Sequence, residues 1–126
     1  MAAVALPRAR ELAGTFPRAS GPNCFGTVMA VAGVAGAERV WMMREPFGEW
    51  LTTCAEPGGN DADLGTVLVW RSSDGPDRAA VTLGDGWALH KPSQGWMSPV
   101  KVLPVDQLKL RCRASGQRLS RYRLLR

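Results

Sequence analysis

The sequence predicts a single α+β domain spanning residues 1–126, with helices first along the chain and an antiparallel sheet after them. In the segment that follows Cys24, apolar residues occupy most sides of the predicted helix, which is typical of a helix buried against a sheet. After a loop at residues 56–63, short β-rich runs separated by glycine-containing turns replace the helical pattern. Because the helices precede the strands and do not alternate with them, this order favours α+β over a parallel α/β architecture.

Length and composition limit the classes of protein that this chain can represent. The chain has 126 residues, enough to bury a core without disulfides or metal ions. Its three cysteines and one histidine form neither a paired disulfide framework nor a zinc-ligand set. No run reaches the roughly 20 apolar residues of a membrane span, and the N-terminus lacks the apolar core of a signal peptide. We therefore expect a reduced, cytoplasmic protein with no metal, no cofactor and no membrane partner.

The net charge of +5 is concentrated at the C-terminal end of the chain. Residues 107–126 contain seven basic and no acidic side chains, whereas the first 106 residues contain nine basic and eleven acidic ones. The charges in this tail alternate with Leu108, Leu110, Cys112, Leu119, Tyr122 and Leu124, as in half-exposed strands with a solvated outer face. Since the only interleaved aromatic is Tyr122, the tail does not favour nucleic-acid binding.

The first predicted core element is the helix that begins at Cys24. Residues 1–20 are expected to be an N-terminal extension with a short helix at residues 9–13. Asn23 is a good N-cap, which places Cys24 at the positive end of the helix dipole, where a thiolate is favoured over a thiol. The alternative is that Cys24 is an inert packing residue, since free cysteines are among the most buried residue types. Gly33 and Gly36 are expected to end the helix.

Two further helical pieces are predicted before the loop, at residues 37–44 and at residues 46–54. Pro46 separates them because proline cannot continue the helical hydrogen bonds but is well suited to a first turn. Their inner faces are expected to contribute core residues without a functional role: Trp41, Met42, Phe47, Trp50 and Leu51.

About five strands are predicted after the loop. They lie at residues 66–71, 78–83, 87–90 and 100–105, the last broken at Pro104, and the basic tail supplies one or two more. Gly84-Asp85-Gly86 is expected to close a hairpin, since glycine adopts the positive φ that such a turn needs.

The hairpin loop sets which side chains share a face of the sheet. A three-residue loop places Leu83 opposite Trp87, Thr82 opposite Ala88 and Ala80 opposite His90. Arg78 then lies diagonally from His90, at a distance of about 7–8 Å. One face is expected to carry polar groups (Arg78, Ala80, Thr82, Ala88 and His90), and the other to form the core (Val81, Leu83, Trp87 and Leu89).

Three segments resemble the NlpC-type branch of the papain-like cysteine peptidases and amidases. They are Asn23-Cys24-Phe25-Gly26-Thr27-Val28, residues 63–70 (DLGTVLVW) as the first core strand, and residues 79–90 (AAVTLGDGWALH) as the hairpin. The similarity covers roughly residues 20–105. It implies a papain-like fold in which the cysteine at the helix start lies against an antiparallel sheet.

The resemblance also implies functional roles, with one departure from the family pattern. In the family, the cysteine attacks an amide or ester carbonyl, a histidine at the start of the hairpin acts as base, and a third polar residue orients that base. Cys24 matches the nucleophile and His90 the third position, which is often histidine. Arg78 stands where the base is expected, and a guanidinium stays protonated and cannot accept a proton.

Two functional hypotheses follow from this departure. In the first, the chain is a thiol-dependent hydrolase or acyl transferase acting on an amide or ester of a peptide-like substrate, with Cys24 as nucleophile and His90 as base. Arg78 then favours the thiolate or binds a carboxylate, the Cys24 N–H and Asn23 contribute to an oxyanion site, and Trp87 completes the substrate-binding set. In the second, the chain is an inactive binding or accessory module that uses the same cleft for a protein or peptide partner.

Overall fold

The computed structural model describes residues 24–34, 37, 43–73, 75–91, 100–112 and 117–125. Its helices are α1 (Cys24–Val31), α2 (Arg44–Cys54) and α3 (Val105–Arg111). Its strands are β1 (Ala55–Pro57), β2 (Leu64–Ser72), β3 (Gly75–Gly84), β4 (Trp87–His90), β5 (Lys101–Pro104) and β6 (Arg118–Leu124). The mixed helical and antiparallel composition agrees with the predicted α+β class. Several predictions concern residues outside the described ranges: the N-terminal extension with a short helix, the cap at Asn23, the helix end at Gly36 and most of the helical piece at residues 37–44.

The described strands form one six-stranded sheet in the order β1-β6-β2-β3-β4-β5, and all neighbours are antiparallel. The additional strand relative to the expected five is β1, where the sequence predicts the start of a loop. Ala55 pairs with Leu124 of β6, so β1 forms one edge of the sheet and β5 forms the other.

The β3–β4 hairpin has the predicted register next to an irregular turn. Thr82 lies opposite Ala88, as expected, but Gly84 instead of Leu83 lies opposite Trp87. Asp85 and Gly86 have φ values of 55° and 82° and form the turn alone. A two-residue turn with two positive φ angles matches the twist of the flanking strands, and the extra residue is taken up as a bulge.

Helices α1 and α2 cover one face of the sheet. Phe25 of α1 stacks on Phe47 of α2 with ring centroids 4.5 Å apart, and Phe47 is 0% exposed. This core includes Val67, Val69, Ala79, Val81 and Leu89 from the sheet. Gly33 ends α1 as predicted: its φ is 111°, and the next N–H, that of Val34, donates to the Met29 carbonyl at 2.9 Å, as in a Schellman motif.

Helix α3 covers the opposite face, which corrects two predictions. Residues 105–111 form a helix and not a strand, because Val105, Leu108 and Cys112 are spaced three and four residues apart and all turn inward, whereas Leu110 is 69% exposed. The face expected to be polar is therefore a second core, and it contains Leu68, Trp70, Ala80, Ala88 and Leu103. None of the described helices is long and apolar enough to span a membrane.

Candidate functional site

Cys24 is the first residue of α1, which packs on β3 and β4. The thiol is partly buried at the margin of the α1 core. Desolvation is the largest influence and raises the pKa of Cys24 above its ordinary value. Hydrogen bonds from the backbone of Ala79 and Phe25 and the positive charge of Arg78 lower that pKa without offsetting the effect of burial. The uncharged thiol is therefore the dominant form at neutral pH.

Arg78 of β3 connects the residues that the sequence singles out. Arg78 is exposed, and burial raises the pKa of the Cys112 thiol next to α3 while the neighbouring guanidinium of Arg78 acts to lower it. The charge of Arg78 acts on both Cys24 and His90, and no other described residue contributes to the pKa shifts of both. The structure thus brings a permanent cation, Arg78, near both Cys24 and His90.

His90 lies at the end of β4, directly opposite Lys101 of β5. Its side chain is 5% exposed, and desolvation, followed by the charges of Arg78, Lys101 and Lys91, lowers its pKa to about 4. The imidazole is therefore neutral at pH 7. Its Nε2 is buried and has no hydrogen-bond partner within the described part of the chain.

The two members of the predicted dyad lie toward different faces of the sheet. Ala88 packs in the α3 core and Leu89 in the α1 core, so strand alternation directs His90 toward the α3 side. Across the described ranges, no hydrogen bond joins Cys24 to His90. The pairing of these two residues in catalysis stays a prediction.

Trp87 is separated from the other candidates. It lies at the hairpin end of β4, three residues from His90, which corresponds to roughly 10 Å along a strand. Its side chain is 45% exposed, which corrects the expectation that it contributes to the core. Asn23, the other proposed contributor, lies outside the described residues.

Sequence reasoning missed two cations in this region. Lys91 is only 2% exposed, and desolvation lowers its pKa, whereas the negative charge of Cys24 in its thiolate form would raise it. Lys101 becomes a neighbour of His90 only through the β4–β5 register. Lysines next to strand ends usually indicate solvated positions. The sequence therefore contained no signal that Lys91 or Lys101 belongs to the site, beyond the adjacency of Lys91 to His90.

The site is cationic and contains no metal-ligand set. Among the described residues, no carboxylate contributes to the pKa shifts of Cys24, His90 or Lys91, whereas Arg78 and two lysines do. Within residues 24–34, 37, 43–73, 75–91, 100–112 and 117–125, no group of three His, Cys, Asp or Glu side chains is placed to hold a metal ion. The arrangement is suited to attract an anion, and among the described residues no histidine or carboxylate hydrogen-bonds the Cys24 thiol.

Comparisons of the chain with protein-family models, with curated proteins and with solved structures found no match.

Proposed function

We propose that this chain is a papain-like binding module that holds a peptide-like ligand at the site around Cys24 and Arg78 without cleaving it. The observation that carries this proposal is that the charge of Arg78 acts on Cys24, and the resemblance assigns to Arg78 the position of the base. An arginine side chain offers five N–H donors and no acceptor. It can bind a ligand there, but it cannot remove the thiol proton.

The state of Cys24 supports the same conclusion. A cysteine nucleophile acts as the thiolate, and catalytic cysteines lie in surroundings that lower their pKa. Burial raises the pKa of Cys24 despite two backbone hydrogen bonds and a neighbouring cation. A thiol of this kind contributes packing and shape to a ligand site more readily than nucleophilic chemistry.

A thiol-dependent hydrolase or acyl transferase is the second candidate, and a specific observation favours it. Burial raises the pKa of Cys24, but hydrogen bonding from the backbone of Ala79 and Phe25 acts to lower it, and His90 is a neutral imidazole. In this mechanism, Sγ attacks an amide or ester carbonyl and His90 takes the thiol proton. The proton then passes to the leaving amine or alcohol, and water or another nucleophile accepts the acyl group.

Replacing Arg78 by histidine distinguishes the two candidates. If the module lacks only its base, Arg78→His creates Cys24-dependent hydrolysis of an activated ester such as p-nitrophenyl acetate, whereas the parent chain shows none. The Cys24→Ser/Arg78→His double variant is the matched control and is expected to be inactive. Ester hydrolysis by the parent chain that disappears in Cys24→Ser would favour the enzyme and contradict the binding-module proposal.

A further inference from the structure

Three basic or titratable side chains form a row across adjacent strands at the end of the sheet opposite the β3–β4 turn. His90 of β4 pairs directly with Lys101 of β5. When the Thr82–Ala88 register is continued along β3 and β4, Arg78 lies diagonally from His90. Diagonal neighbours of this kind have Cα atoms about 7–8 Å apart. Strand alternation places all three on the α3 side, together with Ala80, Ala88 and Leu103.

This row has accessible charges around an unsatisfied buried atom. Arg78 and Lys101 are both exposed, and no described carboxylate pairs with either. Between them, the His90 side chain is 5% exposed and its Nε2 has no hydrogen-bond partner among the described residues. A buried polar atom without a partner costs free energy unless a ligand or water satisfies it.

We infer that Arg78, His90 and Lys101 form a subsite for a carboxylate group of the ligand. This inference rests on the proposed function and adds the chemical class of the group that is recognised. The guanidinium can donate two parallel N–H bonds to a carboxylate, and the ammonium of Lys101 adds a second charge. His90 donates through Nε2–H when it takes up a proton from solvent as the carboxylate binds.

Proton uptake makes binding depend on pH. The groups that act on His90 are Arg78 from β3, Lys101 from β5 and the adjacent Lys91. From the packed helices, Cys24 of α1 and Cys112 of α3 interact with Arg78, and both thiols are uncharged at acidic pH. His90 is thus the group whose charge changes as the pH falls toward 4. Binding is expected to tighten over that interval and to raise the pKa of His90.

The test compares N-acetyl-dialanine as the free acid with the same dipeptide as its C-terminal amide. His90 is the only histidine, so one imidazole NMR signal reports its titration without assignment ambiguity. We expect the free acid to raise the pKa of His90 by about one unit, equivalent to tenfold tighter binding to the imidazolium form. The amide should leave that pKa unchanged. Binding is measured in parallel by tryptophan fluorescence.

Variants test which cations are responsible. Arg78→Gln and Lys101→Gln should each weaken binding of the free acid about tenfold, equivalent to about 1.4 kcal/mol. Lys101 is exposed, so its variant should fold even if Arg78→Gln does not. Arg118→Gln is the matched control, because Arg118 is exposed on β6, which β2 separates from β3, and binding should not change.

The possible failures separate the subsite from the proposed function. Equal binding of the acid and the amide, with no change at His90, overturns the carboxylate subsite and leaves the peptide-binding module intact. Absence of binding by both dipeptides, with His90 unchanged, overturns both. Equal loss of affinity in Lys101→Gln and Arg118→Gln would show a general charge effect and would also overturn the subsite.

Discussion

His90 of β4 lies directly opposite Lys101 of β5, with its imidazole 5% exposed beside a fixed positive charge. Desolvation and three neighbouring cations, Arg78, Lys101 and Lys91, hold the pKa of His90 at about 4, well below its ordinary 6.5. Folding therefore favours the neutral form of this imidazole. This relationship links the stability of the fold to the site that we propose for the ligand.

The first prediction concerns stability between pH 6.5 and pH 4. Over this interval the unfolded chain protonates His90 before the folded chain does, so the free energy of unfolding falls as the pH falls. The pKa difference of about 2.5 corresponds to a loss on the order of 3 kcal/mol, complete once the pH is below about 4. Urea unfolding at pH 7 and pH 4 should show that the free energy of unfolding falls less in His90→Gln than in the parent chain. Equal losses in the two proteins would contradict this assignment.

The second prediction concerns Asp61, which joins the loop before β2 to two distant elements. Its carboxylate accepts hydrogen bonds from Nε and Nη2 of Arg121 at 2.7 and 3.2 Å and from Lys109 Nζ at 2.9 Å. Hydrogen bonds from Arg121 and Lys109 lower the pKa of Asp61 to about 2. The stabilisation of the folded state by this carboxylate is therefore lost only as the pH falls from about 4 to 2.

Asp61→Asn is expected to lower the free energy of unfolding at pH 7 by about 1–2 kcal/mol. Both cations are 34% exposed, so solvent screening keeps the loss below that of a buried ion pair. Asp106→Asn is the matched control, since Asp106 is 95% exposed and 4.0 Å from Lys109. Thermal unfolding in low and high salt measures both variants. Equal effects of the two substitutions would refute the role of Asp61.

The third prediction concerns Gly59, where the chain passes close to β2. Gly59 has a φ of 93°, and an added Cβ would lie 2.6 Å from Oγ1 of the buried Thr66. Gly59→Ala should therefore cost about 2–4 kcal/mol, from backbone strain together with the clash. Gly75→Ala isolates the strain, because Gly75 has a φ of 106° with nothing within 4 Å, and about 1–2 kcal/mol is expected. If chemical denaturation shows similar losses of unfolding free energy for Gly59→Ala and Gly75→Ala, the argument for a clash with Thr66 fails.

The sequence predicted those parts of the fold that depend on local pattern. The Thr82–Ala88 register followed from the glycine turn and the two-residue period of the flanking strands, although the bulge at Gly84 did not. Helix α3 was missed because Leu108, Leu110 and Cys112 also alternate as a strand would. Only contact with the second face of the sheet, through Leu108 and Cys112, distinguishes the two patterns.

The candidate site was predictable to a similar extent. Cys24 lies in helix α1, as the sequence predicts, whereas the start of that helix at Cys24 stays a prediction because the preceding residues lie outside the described part of the chain. The pairing of His90 with Lys101 depends on how β5 docks on β4, and the burial of Lys91 depends on tertiary packing. Neither property is encoded in the spacing of nearby residues. The cationic character of the site therefore emerged only from the folded chain.

The central claim is that Cys24 is not an activated nucleophile, and the pH dependence of its alkylation tests that claim most directly. Iodoacetamide labelling followed by peptide mass spectrometry reports Cys24 separately from Cys54, a partly buried free thiol that serves as internal comparison. Since burial raises the pKa of Cys24, we expect labelling to be slow at pH 7 and to increase only above the ordinary thiol pKa of about 8.5, equally in the parent chain and in His90→Ala. Rapid labelling of Cys24 with an apparent pKa well below that value, lost in His90→Ala, would contradict the account and establish the two residues as a catalytic pair.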